Sequence, residues 1–126
     1  MLITMKGNGE MEGLKEEVVR KLHQLGEFGK DPDGGISRLL YSKSWVEAQS
    51  AVKEWIEKEG FEARFDEVGN LFGALKGSKS DETILTGSHI DTVKNGGLYD
   101  GQYGIVAGII AIKYLKEKYG QPLRNL

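Results

Sequence analysis

An α/β fold, with helices laid against a mixed sheet, follows from three features of the 126-residue sequence. Apolar residues recur at helical spacing in three separate stretches. Two short runs alternate apolar with polar residues and are joined by a turn. The elements fall in the order helix, helix, hairpin, strand, helix, strand start, which suits one layered domain over residues 1–126. No internal repeat is visible.

Residues 1–9 read as a loose start. From there Met11, Leu14, Val18, Leu22 and Leu25 mark one stripe of an amphipathic helix, stopped by Gly26 and Gly29. His23 lies beside that stripe, at the helix end, where a surface or capping histidine is expected. Asp31-Pro32-Asp33-Gly34-Gly35 is turn chemistry. A calcium loop fails there: it would need a third Asp or Asn, a sixth-position glycine and a twelfth-position glutamate, and the run offers Gly35, Ile36 and Ser42.

A second helix opens at Ser44, with Glu47 completing a capping box, and turns Trp45, Ala48, Val52, Trp55 and Ile56 inward as far as Gly60. Two tryptophans at helical spacing are read as core. Phe61–Phe65 alternates as a strand, Gly69-Asn70 turns it, and Leu71–Leu75 returns as its hairpin partner. After the polar loop Gly77–Asp81, Thr83-Ile84-Leu85-Thr86 reads as a strand buried on both faces. The last helix runs from about Gly101 to Lys118 and is apolar nearly all round at first, as a helix inside a larger body would be. Gln121-Pro122 ends it, and Leu123–Leu126 reads as the start of another strand.

Composition removes several classes of function. The 17 basic and 19 acidic residues leave a net charge of −2, which gives no pull toward nucleic acid or anionic lipid. The absence of cysteine excludes disulfides, thiolate metal sites and cysteine nucleophiles, and suits a reducing cytosol. Met1–Gly13 lacks an apolar core of signal-peptide length. Ile105–Ile112 is too short to span a bilayer. A cytoplasmic protein with neither a nucleic-acid nor a membrane partner is expected.

Chemistry concentrates in Gly87-Ser88-His89-Ile90-Asp91-Thr92-Val93 and in Gly96-Gly97-Leu98-Tyr99-Asp100-Gly101-Gln102-Tyr103-Gly104. A strand just before this stretch would place His89 and Asp91 at its carboxyl end, where open α/β sheets hold their sites. Offset by two, they share one side of an extended chain. A carboxylate so placed can accept the free ring N–H of a metal-bound histidine. Asp100 follows in a glycine-rich turn, where Gly96, Gly97, Gly101 and Gly104 allow tight folding, and a carboxylate can bridge two cations. Spacing alone leaves the alternative open, since an isolated H-x-D arises by chance and Asp before Gly is an ordinary helix cap. No phosphate-binding glycine loop is present.

These residues resemble the metal signature of the M20 metallopeptidase and amidase family. Upstream, Asp31-Pro32-x-Gly34-Gly35-x-x-Arg38-Leu39 and Arg64–Leu71 resemble its allantoate amidohydrolase and N-carbamoyl-L-amino-acid hydrolase branch. The similarity runs from about Leu22 to the last residue. It implies a three-layer αβα fold with a mixed sheet, of which this chain is the N-terminal part of a zinc-peptidase-like catalytic domain. The rest of that domain and a lid and dimerisation domain would be missing. It also implies that His89 binds one of two divalent metals (Mn²⁺ or Zn²⁺), that Asp100 bridges both, and that Asp91 orients His89. Ser37 stands where relatives have threonine. A cis peptide is implied at Asp100–Gly101, and the Gly34–Arg38 loop is either a structural turn or an approach to substrate.

The activity implied is hydrolysis of a ureido or carbamoyl C–N bond in a small molecule, allantoate in first place, by a homodimeric enzyme. N-carbamoyl-L-amino-acid hydrolase and β-ureidopropionase are the alternatives, followed by an aminoacylase or peptidase and by a non-catalytic truncated module. The family's general-base glutamate and remaining metal ligands follow this region. The 126-residue chain alone is therefore expected to be inactive, because one catalytic zinc already takes three protein ligands.

Overall fold

The computed structural model describes residues 6–79 and 81–126. Three helices and a two-stranded antiparallel sheet make an α/β unit: α1 (Lys6–Gly26), α2 (Lys43–Lys58), β1 (Glu62–Phe65), β2 (Leu71–Ala74) and α3 (Gln102–Tyr119). Of the expected loose start, 1–5 lie outside the described residues, and the helix already covers the remainder. Position 80 of the polar loop lies outside them too.

Each element forms where its periodicity places it. Leu22 and Leu25 of α1 join Trp45, Ala48, Val52, Trp55 and Ile56 of α2 in one buried cluster, completed by Phe61, Ile90, Val106 and Ile110. Both tryptophans are core, as their spacing implies. Met11, at the outer end of the α1 stripe, is exposed. α1 packs on α3, and α2 covers the hairpin. Lys113 of α3 ties the helices together, 2.8 Å from Glu17 of α1 and 3.5 Å from Glu59 at the end of α2. Hydrogen bonding to Glu17 holds its pKa above the usual lysine value, against the opposing effect of burial.

Two local readings are corrected. The cap of α2 is Ser42, whose hydroxyl accepts from the Trp45 N–H at 3.3 Å. Ser44 instead bonds back to the Ser37 carbonyl at 3.4 Å, so the longer loop captures the residue that sequence assigned to the cap. The hairpin turn is built by Asp66, whose carboxylate accepts the N–H groups of Val68 (3.1 Å) and Asn70 (2.8 Å) and the Asn70 side-chain amide (2.8 Å). Gly69 closes that turn at φ 88° against the Trp45 ring, where a Cβ would stand 2.9 Å from the nearest ring atom.

The larger correction concerns Thr83–Thr86. Only Thr83 bridges, in parallel, to Asn125, and residues 83–89 are exposed rather than buried on both faces. A strand of that kind needs a partner on each edge and a layer on each face. Here one edge is met at its first residue only, and Leu85 is 80% exposed. No described helix is long and apolar enough to cross a membrane.

Candidate metal centre

The segment after this extended stretch keeps a period of two. Ile90 and Thr92 are buried, while His89, Asp91 and Val93 turn outward. The inward residues hold the backbone in place. Thr92 donates its N–H to the Arg38 carbonyl at 2.9 Å, and its hydroxyl accepts from the Arg38 N–H at 2.8 Å while donating to the Ile36 carbonyl at 2.9 Å. Ile36 and Gly96 exchange a further pair of backbone bonds, at 3.0 and 2.8 Å. Ser37 completes the seam by donating to Asp31 at 2.6 Å and accepting from the Asn95 N–H at 2.9 Å. The 31–38 loop is therefore a structural turn clamped to the 89–96 loop.

Arg38 is the residue that sequence reading undervalued. It is fully buried and does not reach toward solvent. Its guanidinium donates to the carbonyls of Ile90 (2.7 Å), Leu25 (2.7 Å) and Phe28 (3.0 Å), and to the Gln102 side-chain oxygen (2.6 Å). Among the described residues no carboxylate pairs with it, so oxygen dipoles meet the buried charge. Burial lowers its pKa, and the field of Asp91 acts in the opposite direction. Gln102, also fully buried, opens α3 and donates its amide to Leu98. One guanidinium thus joins the end of α1, the 89–92 segment and the start of α3. The only sequence sign was its place in the upstream resemblance block.

On this frame the three expected site residues come together. The His89 ring places Nδ1 3.0 Å from the Asp91 carbonyl oxygen and 3.4 Å from the Asp91 carboxylate. Its Nε2 lies 3.8 Å from an Asp100 carboxylate oxygen. His89 and Asp91 are about half exposed and Asp100 is 80% exposed, so the pair opens to solvent. Asp100 does not cap α3. The cap is Gly101, with no side-chain bond, and the Gln102 N–H goes to the Asp100 backbone carbonyl at 2.8 Å. The carboxylate is left free at a helix N-terminus, where negative charge is favoured.

No peptide bond among the described residues is cis, which corrects the expectation at Asp100–Gly101. Gly101 makes the turn itself, at φ 72°. A Cβ there would stand 2.5 Å from His89 ring atoms, so glycine is required both by the backbone and by the ring it supports. Gly104 likewise admits Ser88, 2.7 Å from where its Cβ would be, whereas Gly97 faces open space and has no such role. His23 is exposed in the last turn of α1.

The chemistry of the pair fits a cation. With Nδ1 facing a carbonyl oxygen, a neutral His89 carries its proton on Nδ1 and presents a lone pair at Nε2. That lone pair confronts a carboxylate oxygen, an arrangement that a cation between them would satisfy. Their separation is within the reach of two metal–ligand bonds of about 2.0–2.2 Å. The set is short, however: among the described residues no three His, Cys, Asp or Glu side chains converge to hold a metal ion.

Known proteins are similar to the chain in sequence and in fold. The chain is 52% identical over 114 residues to an allantoate amidohydrolase of Bacillus subtilis, covering 90% of this chain and 28% of that protein. It is 41% identical over 104 residues to an N-carbamoyl-L-amino-acid amidohydrolase of a Pseudomonas species, covering 82% and 25%. The fold matches a hydantoinase/carbamoylase family amidase from Burkholderia ambifaria with a TM-score of 0.82 and 30% identity, over 86% of this chain and 27% of the other. No family model matches the chain. It spans about a quarter of the length of the curated relatives it matches. In sequence and in fold the chain is similar to part of the allantoate and N-carbamoyl-L-amino-acid amidohydrolases.

Proposed function

We propose that this chain is the N-terminal part of the metal-binding catalytic domain of a binuclear metal-dependent amidohydrolase, with allantoate as the substrate. The observation that carries the metal reading is the facing of His89 Nε2 and Asp100 at 3.8 Å. In the longer enzyme, divalent metals supply a water that is nucleophilic at neutral pH. This chain's own part is to hold and aim donors. Asp91 fixes the His89 tautomer through its carbonyl and adds the field of its carboxylate, Gly101 supports the ring from below, and Asp100 offers two oxygens at the head of α3. The remaining ligands, the proton acceptor, the αβα third layer and a dimerising domain belong to polypeptide beyond the described residues. Mn²⁺ and Zn²⁺ both suit an imidazole–carboxylate pair.

Allantoate leads because the higher of the two curated identities, 52%, belongs to an enzyme named for it. The test is ammonia release from allantoate, with Mn²⁺, by the polypeptide in which this chain is embedded. Turnover that falls to background in His89→Ala and in Asp100→Ala is expected. Turnover that survives both substitutions contradicts the site, and preferential cleavage of an N-carbamoyl amino acid replaces the substrate.

A further inference from the structure

The two donors of the candidate centre stand on separate segments, His89 beside buried Ile90 and Asp100 in the turn before α3. Among the described residues no backbone hydrogen bond links residues 89–92 to residues 98–102. Charge does not draw these segments together either. The Asp91 and Asp100 carboxylates lie 3.4 and 3.8 Å from one imidazole, and like charges gathered at a neutral ring repel. A fixed separation between the donors therefore needs a brace from elsewhere.

The Arg38 guanidinium has the shape for it. Nε and Nη2 form one edge of its planar fork, and the two N–H bonds on that edge run to different segments. Nε donates to the carbonyl of Ile90, the residue after His89, at 2.7 Å. Nη2 donates to the Gln102 side-chain oxygen at 2.6 Å. Gln102 in turn donates its backbone N–H to the Asp100 carbonyl at 2.8 Å, and its side-chain amide to the carbonyls of Leu98 and, at 3.5 Å, Leu22. Nη1 anchors the fork to the end of α1 through Leu25 and Phe28. Arg38 and Gln102 are both fully buried, so neither touches anything bound at the open site.

We infer that Arg38 and Gln102 are positioning residues, whose buried bridge sets the separation of the His89 ring from the Asp100 carboxylate. One rigid edge holds two oxygens side by side, each belonging to a neighbour of one donor. A lysine ammonium, a point charge on a flexible stem, has no such edge. The purpose of the bridge rests on the metal reading proposed above, because the separation it holds is one that two metal–ligand bonds can span. The placement itself is read without metal.

Two readouts on the 126-residue chain keep placement and metal binding apart. Without metal, the nuclear Overhauser contact between the His89 ring and the Gly101 α protons reports placement, since ring atoms stand 2.5 Å from where a Gly101 Cβ would be. With Mn²⁺, the concentration that half-broadens the His89 ring resonances reports affinity. Gln102→Leu keeps the fork and cuts its arm to α3; Arg38→Lys keeps the charge and removes the edge. Both are expected to lose the ring–glycine contact and to raise that Mn²⁺ concentration by about 10- to 100-fold. Val52→Ala removes buried apolar volume from α2, which has no part in the bridge, and should lower stability while changing neither readout. Protected β1–β2 amides report that each variant remains folded. A ring–glycine contact that persists in Gln102→Leu overturns the inference. Equal loss of that contact in Val52→Ala also overturns it, because the effect would then be one of stability alone. If the native chain shows no preference of Mn²⁺ for His89 while Gln102→Leu still loses the contact, the metal reading falls and the positioning role stands.

Discussion

At the scale of single residues, the candidate site depends on one position that carries no side chain. Gly101 turns the chain at φ 72° and lets the His89 ring rest where a methyl group would stand 2.5 Å from it. Gly101→Ala should therefore lower stability by about 1–3 kcal/mol through backbone strain, with the ring contact adding to it. Urea unfolding measures the loss, and the His89 ring resonances should move while those of His23 stay. Gly97→Ala, with open space at that position, serves as the comparison and should change neither. That His89, Asp91 and Asp100 lie close together was legible from spacing and resemblance. The role of Arg38 was not, because an arginine in a polar loop gives no sign that three carbonyls and Gln102 will surround it. The carbonyl of Asp91, closer to the ring than its carboxylate, was equally invisible, since every residue has a carbonyl.

At the scale of elements, the helices and the hairpin were legible because their periodicities answer to contacts within the chain. Ile56 of α2 packs against Gly73 of the hairpin and Trp45 against Gly69 of its turn, while the Trp55 ring lies under Lys21 of α1. The strand at Thr83–Thr86 misled for the opposite reason: its pattern answers to neighbours on both edges, and the chain supplies one at its first residue only. The hairpin turn yields a pH prediction with a definite sign. Asp66 has its pKa lowered, first by the Asn70 side chain and then by turn N–H groups. Its contribution is present above the ordinary carboxylate pKa and is lost as pH falls through the lower, folded value. The protection of the Val68 and Asn70 amides, taken as the ratio of intrinsic to observed exchange rate, should fall on acidification in the native chain. In Asp66→Ala that protection should be low already at neutral pH and should not change further with acid; unchanged protection in that variant would show that the turn does not need the carboxylate.

At the scale of the whole molecule, the chain holds a folded core and two donors facing a common point. Two donors do not complete a catalytic metal site, which takes three protein ligands for one zinc. The purified 126-residue chain should therefore release no ammonia from allantoate above the buffer rate, with Mn²⁺ or with Zn²⁺. Turnover by this chain alone would show that its residues suffice, and the division of labour argued here would be wrong. The relation to a longer enzyme was legible from four motif blocks in order, since those blocks are read residue by residue.

The central claim is that His89 and Asp100 together face a divalent cation. Paramagnetic Mn²⁺ titrated into the chain, with the ring protons of both histidines observed by NMR, tests it most directly, because His23 is an exposed internal control. The expected result is broadening of His89 at Mn²⁺ concentrations that leave His23 sharp, with that preference abolished in Asp100→Ala. Equal broadening of the two rings, or a preference for His89 that survives removal of Asp100, would contradict the claim.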